Sequence, residues 1–163
     1  MSLDWRMRRA KYKLNLSALY LPLYDELCAS LDLSWGPTQG FRSKAEQDAI
    51  YAQGRTAPGK IVSNSPGGGY SPHEYGCASD WCKFNGRGEP YWPEDPRDWE
   101  PYRQALQKIG LHWGGSFSHA DMPHNEVAIK CAWSEVRKIL LISGDEGAKA
   151  YIAQSHREFM RNA

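Results

Sequence analysis

The segment Ser71-Pro72-His73-Glu74-Tyr75-Gly76-Cys77-Ala78-Ser79-Asp80 carries a histidine and a carboxylate that a regular strand would keep apart. In an unbroken strand His73 and Asp80 face opposite sides, because side chains alternate. For both to serve one site the chain must bend between them, and Gly76 is the residue that tolerates the bend. This predicts a turn at Gly76 feeding a short strand over about Cys77–Trp81. Ala78 shares a face with Asp80 and is small, which leaves space beside a metal. Further on, Asp121-Met122-Pro123-His124 supplies a second histidine and a second carboxylate, with Pro123 stiffening the approach. Two imidazoles and a carboxylate are a common set for a catalytic zinc, which takes three protein ligands and keeps a fourth position open. The residues thus describe a mononuclear Zn2+ site with ligands His73, Asp80 and His124. Asp121 stands where it can serve water as a base. His112 and His119 are close enough in sequence to replace one of these ligands. His156, in the tail, is expected in solvent.

Outward from these motifs the elements follow from spacing and punctuation. Leu14, Leu16, Leu19, Leu23, Leu27 and Leu31 recur at helical spacing and predict a helix over 14–32, with Pro22 kinking or delaying its start. A short strand is expected around Thr38-Gln39-Gly40-Phe41-Arg42. Ser43 with Glu46 three residues on forms a capping box for a helix over about 44–53, and Gly54 fits the position that ends it. Residues 56–70, rich in Gly, Pro, Ser and Asn, read as a loop. Gly67-Gly68-Gly69 lacks the Lys-Ser/Thr of a phosphate loop and reads as a flexible approach to the site. After a second loop over 85–97, Asp98 caps a helix to about Ile109. Gly110-Leu111-His112-Trp113-Gly114-Gly115 gives a strand and turn, and 124–130 a further strand. The tail 133–160 reads as two helices broken at Gly144, with apolar stripes Val136, Ile139, Leu140 and Ala148, Tyr151, Ile152, Phe159. The expected fold class is α+β: a small antiparallel sheet carrying the site, flanked by helices, with a C-terminal helical hairpin. One domain spans 1–163, with its core at about 14–132 and 133–160 packed on it.

At 163 residues the chain can bury a core without staples, and 41% hydrophobic with 24% charged residues is ordinary for a globular protein. A formal charge of +1 gives no argument for nucleic acid. The basic cluster Arg6, Arg8, Arg9, Lys11 and Lys13 reads as a solvated, frayed terminus. Cys28, Cys77, Cys82 and Cys131 show neither a zinc-ribbon nor a disulfide spacing and are expected as free thiols. No apolar run reaches membrane-spanning length, and no apolar h-region follows the basic start. Trp81, Trp99 and Trp133 are expected in the core and Trp92 on a rim.

The S-x-H-x-x-G-x-A-x-D and D-x-P-H motifs resemble those of the zinc peptidases that cut bacterial cell-wall peptides. These are the D-Ala-D-Ala carboxypeptidases, dipeptidases and L-alanoyl-D-glutamate endopeptidases of the VanY-like family, phage endolysins among them. The likeness continues upstream. Gly40-Phe41-Arg42-Ser43, Gln47 and Tyr51-Ala52-Gln53-Gly54-Arg55-Thr56 are similar to the endolysin branch's G-Y-R-S-x-x-x-Q and YAQGRT, and Gly110–Gly115 to its G-L-x-W-G-G. It spans roughly residues 37–127. The resemblance implies zinc on His73, Asp80 and His124, Asp121 as general base and Arg42 as the cation beside the scissile carbonyl. Ser71 would be a support or a substrate contact beside the first ligand, Gln47 a pocket or a packing residue, and Trp113 a substrate contact. Departures are Asn125-Glu126, where the family has Phe-Glu or Phe-Gln, and Phe117 in place of a second Trp. All of these are expected to line the pocket.

The function these readings imply is a zinc metallo-endopeptidase acting on peptidoglycan stem peptides, at the L-Ala–D-Glu bond, as a phage-type endolysin. Such an enzyme works as a monomer, without nucleic acid or stable membrane insertion. It would be made in the host cytoplasm and reach the wall through a pore. A D-Ala-D-Ala carboxypeptidase or dipeptidase is the alternative within the enzyme class. A cell-wall-binding module with a structural zinc is the alternative outside it.

Overall fold

The computed structural model describes residues 5–163, with side chains from residue 7 onward. In chain order the elements are α1 (Trp5–Lys13), α2 (Tyr20–Ser30), β1 (Trp35–Gln39), α3 (Lys44–Ala52), β2 (Ala78–Phe84), β3 (Pro90–Tyr91), α4 (Glu100–Ile109), β4 (Leu111–Trp113), β5 (His124–Val127) and α5 (Trp133–Met160). The sheet runs β1-β2-β5-β4, with β3 paired to the end of β2, and every pairing is antiparallel. This is the α+β architecture expected from the sequence. The chain falls into two compact units: residues up to Phe41 with Cys77–Ala128, and Arg42–Gly76 with Ile129–Ala163.

The first unit holds the sheet with α1, α2 and α4. The helix α4 shows why its residues fold as they do: Tyr102, Ala105, Leu106 and Ile109 recur at helical spacing and are all buried, and Gly110 closes the helix at φ 81°. Its start is later than Asp98, because Asp95 caps a 3₁₀ turn over Pro96–Trp99 instead. Tyr102 stacks on Trp35 with ring centroids 5.3 Å apart, and Trp99 lies 5.5 Å from Trp35. Trp81 is fully buried and its ring sits 5.7 Å from Tyr24. These rings are among the largest fully buried side chains of this core.

Three expectations in this unit need correction. The basic start is a helix, and Arg9 within it is buried at 7% exposure. Its guanidinium donates to the carbonyls of Cys28, Asp32 and Trp35, so a cation closes the C-terminal end of α2. Arg8 lies 3.9 Å over the Phe84 ring and Lys13 pairs with Asp25 at 2.7 Å. The second helix begins at Tyr20, not at 14. Pro22 has no N–H to give and fits only in a first turn. Ser17 Oγ accepts the Tyr20 N–H at 3.1 Å, and Asn15 takes a left-handed φ of 64°. The strand expected near Thr38–Arg42 sits earlier, at Trp35–Gln39, and includes Pro37, which an edge strand tolerates.

In the second unit the capping box of α3 is present in full: Ser43 N–H donates to Glu46 Oε2 at 2.7 Å and Glu46 N–H to Ser43 Oγ at 3.3 Å. Gly54 follows at φ 72°. The Gly67–Gly69 run is held rather than loose. Gly67 N–H donates to Asp48 Oδ1 at 2.9 Å, and Gly68 and Gly69 donate to the Glu74 carboxylate at 2.7 and 3.0 Å. The glycines thus form a small nest for a carboxylate of the same chain. The C-terminal helix α5 is interrupted at Gly144 (φ 68°, ψ −172°), the residue at which the sequence placed the break. Past it, Ala148, Ile152, Ser155 and His156 make one buried stripe. His156, expected in solvent, is 8% exposed because its helix position falls on that stripe.

Candidate metal centre

His73 lies on a 3₁₀ turn, Pro72–Tyr75, whose own capping box is built by Ser71 and Glu74. The His73 N–H donates to Ser71 Oγ at 3.4 Å and the Ser71 N–H to Glu74 at 3.2 Å. Gly76 ends the turn in the left-handed region, φ 64° and ψ 30°, which is the predicted bend. The chain then enters β2, where Ser79 and Trp81 are buried and Asp80 lies half-buried on the other face.

Strand β5 pairs Asp80 with His124 and Ser79 with Asn125. The approach to His124 is a turn: its N–H donates to the Asp121 carbonyl at 3.1 Å, and the Asp121 N–H donates to the Gly114 carbonyl at 2.9 Å. A Cβ on Gly114 would sit 2.4 Å from the Asp121 carbonyl oxygen and 2.8 Å from His124 Cβ. Only glycine fits there, which gives the Gly-Gly after Trp113 its physical reason. Trp113 is half-buried and its indole N–H donates to the Met122 carbonyl at 2.8 Å, fixing the same turn. The Asp121 side chain is exposed.

His73, Asp80 and His124 each offer one ligand atom, and these atoms lie within 4.8 Å of one another. Neither His112 nor His119 belongs to such a group among the described residues. The set of two imidazole nitrogens and a carboxylate oxygen suits a borderline-soft divalent metal such as zinc. His124 is held on both ring nitrogens, Nδ1 at 3.1 Å from Asp80 Oδ1 and Nε2 at 2.9 Å from Glu126 Oε2. Burial alone would depress this imidazole, but the two carboxylates outweigh it and push it up to about 10. The centre is therefore organised to keep positive charge between carboxylates, whether as a proton or as a metal ion.

Arg42 is buried and donates to Gln47 Oε1 at 2.8 Å. Gln47 is fully buried, and its amide nitrogen donates to Ser63 Oγ at 3.0 Å and to the Ser65 carbonyl at 2.7 Å. Ser71, also buried, caps the His73 turn. Phe117 packs on His124 with ring centroids 5.9 Å apart, so the residue standing for the expected Trp does lie against a cluster member.

Asn125 corrects the sequence reading. It does not line a pocket: it is fully buried on the face of β5 opposite His124. Its side-chain amide donates to Tyr102 Oη at 2.7 Å and to the Ser79 carbonyl at 2.9 Å, and its Oδ1 accepts from Tyr20 Oη. Tyr102 in turn donates to the Pro123 carbonyl at 2.9 Å. A closed polar network thus backs both strands that carry ligand candidates. The sequence reading gives Glu126 a place in the pocket lining but no contact with His124. The signal available was its position two residues after His124, which in a strand puts both on one face.

Known proteins share a segment of this chain and its fold. The family described as D-alanyl-D-alanine carboxypeptidase matches residues 64–127, the segment holding all three cluster residues, and over it the resemblance read from the motifs is borne out. The chain is 37% identical over 98 residues to the peptidoglycan L-alanyl-D-glutamate endopeptidase CwlK of Bacillus subtilis (strain 168), covering 55% of this chain and 58% of the relative. The chain thus spans little more than half the length of that relative. Its fold is also that of the Serratia marcescens L-Ala D-Glu endopeptidase ChiX. The TM-score is 0.52 at 18% identity, over 78% of this chain and 91% of that one.

Proposed function

We propose that the protein is a zinc metallo-endopeptidase that hydrolyses peptidoglycan stem peptides at the L-Ala–D-Glu bond. The observation that carries this reading is the His73–Asp80–His124 group, with three donors among the described residues rather than the four of a closed structural site. The similarity to CwlK supports the choice of bond. Zinc held by these residues would supply an acidified water, its pKa brought to about 7, as the nucleophile. Asp121 would take one proton from the attacking water and give it to the leaving amine, so that the water oxygen ends on the acyl carbon and that proton on nitrogen. Arg42 meets the carbonyl oxygen as it gains charge, a kind of contact whose loss typically costs ~10²–10³ in rate. Gln47 enters through Arg42, which its carbonyl holds, while Ser71 and Trp113 border the substrate. The YAQGRT-like segment supports the endolysin branch of that family. It would act as a monomer on the wall after passing a pore from the cytoplasm. No helix among the described residues is long and apolar enough to cross a membrane.

The test is digestion of purified peptidoglycan by the zinc-loaded protein, with the new termini read by mass spectrometry. New D-Glu amino termini are expected. Free D-Ala without them would replace this reading by a carboxypeptidase, the activity that the matched family's description names. Asp121→Ala should keep its zinc and lose hydrolysis. Wall binding without any product would leave only a binding module.

A further inference from the structure

Glu126 plays no part in the reaction just described, yet it occupies one of the two nitrogens of a candidate ligand. We infer that Glu126 is a positioning residue that fixes His124 in the tautomer presenting Nδ1 to the metal; the inference rests on the metal-centre reading above. His124 and Glu126 are two apart on β5, so their side chains share a face, and Glu126 Oε2 lies 2.9 Å from His124 Nε2. The side chains are 9% and 10% exposed, which keeps water from competing for that contact. The opposite ring nitrogen, Nδ1, faces Asp80 Oδ1 at 3.1 Å, and Asp80 belongs to the metal-binding group while Glu126 does not.

An ionised carboxylate only accepts hydrogen bonds. Nε2 must therefore carry the proton, because a bare Nε2 would set one lone pair against another. A neutral imidazole protonated on Nε2 has its free pair on Nδ1, the atom turned toward the group. Without Glu126 the ring is free to take the other tautomer or to rotate. Partners of this kind, a carboxylate behind a ligating histidine, orient the ring and raise its basicity, and their removal typically lowers metal affinity ~10–100-fold.

The experiment uses the full chain. Zinc affinity is measured by competition with a chromophoric chelator for the wild type, Glu126→Ala, Glu126→Gln and His124→Ala, and long-range ¹H–¹⁵N spectra of the zinc-loaded proteins report the histidine tautomer. The expected result is a proton on His124 Nε2 in the wild type, a ~10–100-fold loss of affinity in Glu126→Ala, and a smaller loss in Glu126→Gln, which keeps an acceptor. A merely structural role would lower the melting temperature of Glu126→Ala and Glu126→Gln while leaving the His124 tautomer and the zinc affinity of the folded protein unchanged. If Glu126→Ala binds zinc like the wild type while His124→Ala does not, the inference falls and the metal centre stands. If His124→Ala also binds normally, both fall. Should Glu126→Ala fail to fold, the wild-type spectrum still decides: zinc on Nε2 overturns the inference outright.

Discussion

Asp80 and His124 stand directly opposite each other on β2 and β5, and Asp80 Oδ1 lies 3.1 Å from His124 Nδ1. That proximity is set by strand register, since a one-residue slip would turn one of the two side chains to the other face. Asp80→Ala and His124→Ala each remove one of three donors, so zinc content after desalting should fall from about one per chain to a small fraction. Circular dichroism should show the sheet and helices kept. Near-stoichiometric zinc in either variant would take that residue out of the metal centre.

Gly114 marks the closest approach of the β4 end to the turn before His124. Alanine there meets backbone and the Cβ of the candidate ligand His124 inside contact distance, and overpacking of this sort costs ~1–3 kcal/mol or more. For a chain of this length each kcal/mol lowers Tm by ~2–4 °C. Gly114→Ala should therefore melt several degrees lower and bind zinc more weakly. A wild-type melt together with wild-type zinc affinity would show that the turn can open without consequence.

The Asn125 network predicts an asymmetry. Asn125→Leu removes one hydrogen bond each from Tyr20, Tyr102 and Ser79 at once, and each bond lost costs ~0.5–1.5 kcal/mol. Tyr20→Phe removes one hydroxyl and should cost about 1 kcal/mol. Urea unfolding should place Asn125→Leu well below Tyr20→Phe in midpoint, with similar slopes. Equal midpoints would mean the network contributes little beyond shape.

The capping box of α3 is exposed and local, so its effect should be modest and separate from the metal. Ser43→Ala is expected to cost about 1 kcal/mol with zinc affinity unchanged. A change in zinc affinity as large as the change in stability would show that α3 is coupled to the centre.

Cys82 is fully buried, and burial pushes its thiol up to about 12. The folded value lies above the unfolded one, so the stability this thiol contributes is present below the unfolded pKa near 9 and is lost as pH rises toward 12. At pH 8 its thiolate is scarce, and iodoacetamide should label Cys82 far more slowly in the folded protein than in denaturant. Equal labelling rates read by peptide mass spectrometry would contradict its burial.

The sequence by itself determined the features whose causes lie within a few residues. The Ser43–Glu46 box, the left-handed Gly76, the stripe of Tyr102, Ala105, Leu106 and Ile109, and the break at Gly144 each depend on neighbours one to seven places away. Spacing of that kind is readable in a string of letters. The motif pair that named His73, Asp80 and His124 was equally legible, though only the fold brings their atoms within 4.8 Å. What tertiary structure alone decided is where polar groups end up. Arg9 reads as a solvated cation until the end of α2 meets it, and Asn125 reads as a pocket residue until Tyr20, 105 positions earlier, takes its oxygen. A charged or amide side chain is indifferent to burial until its partners are known, and those partners come from distant parts of the chain that only the folded sheet sets side by side.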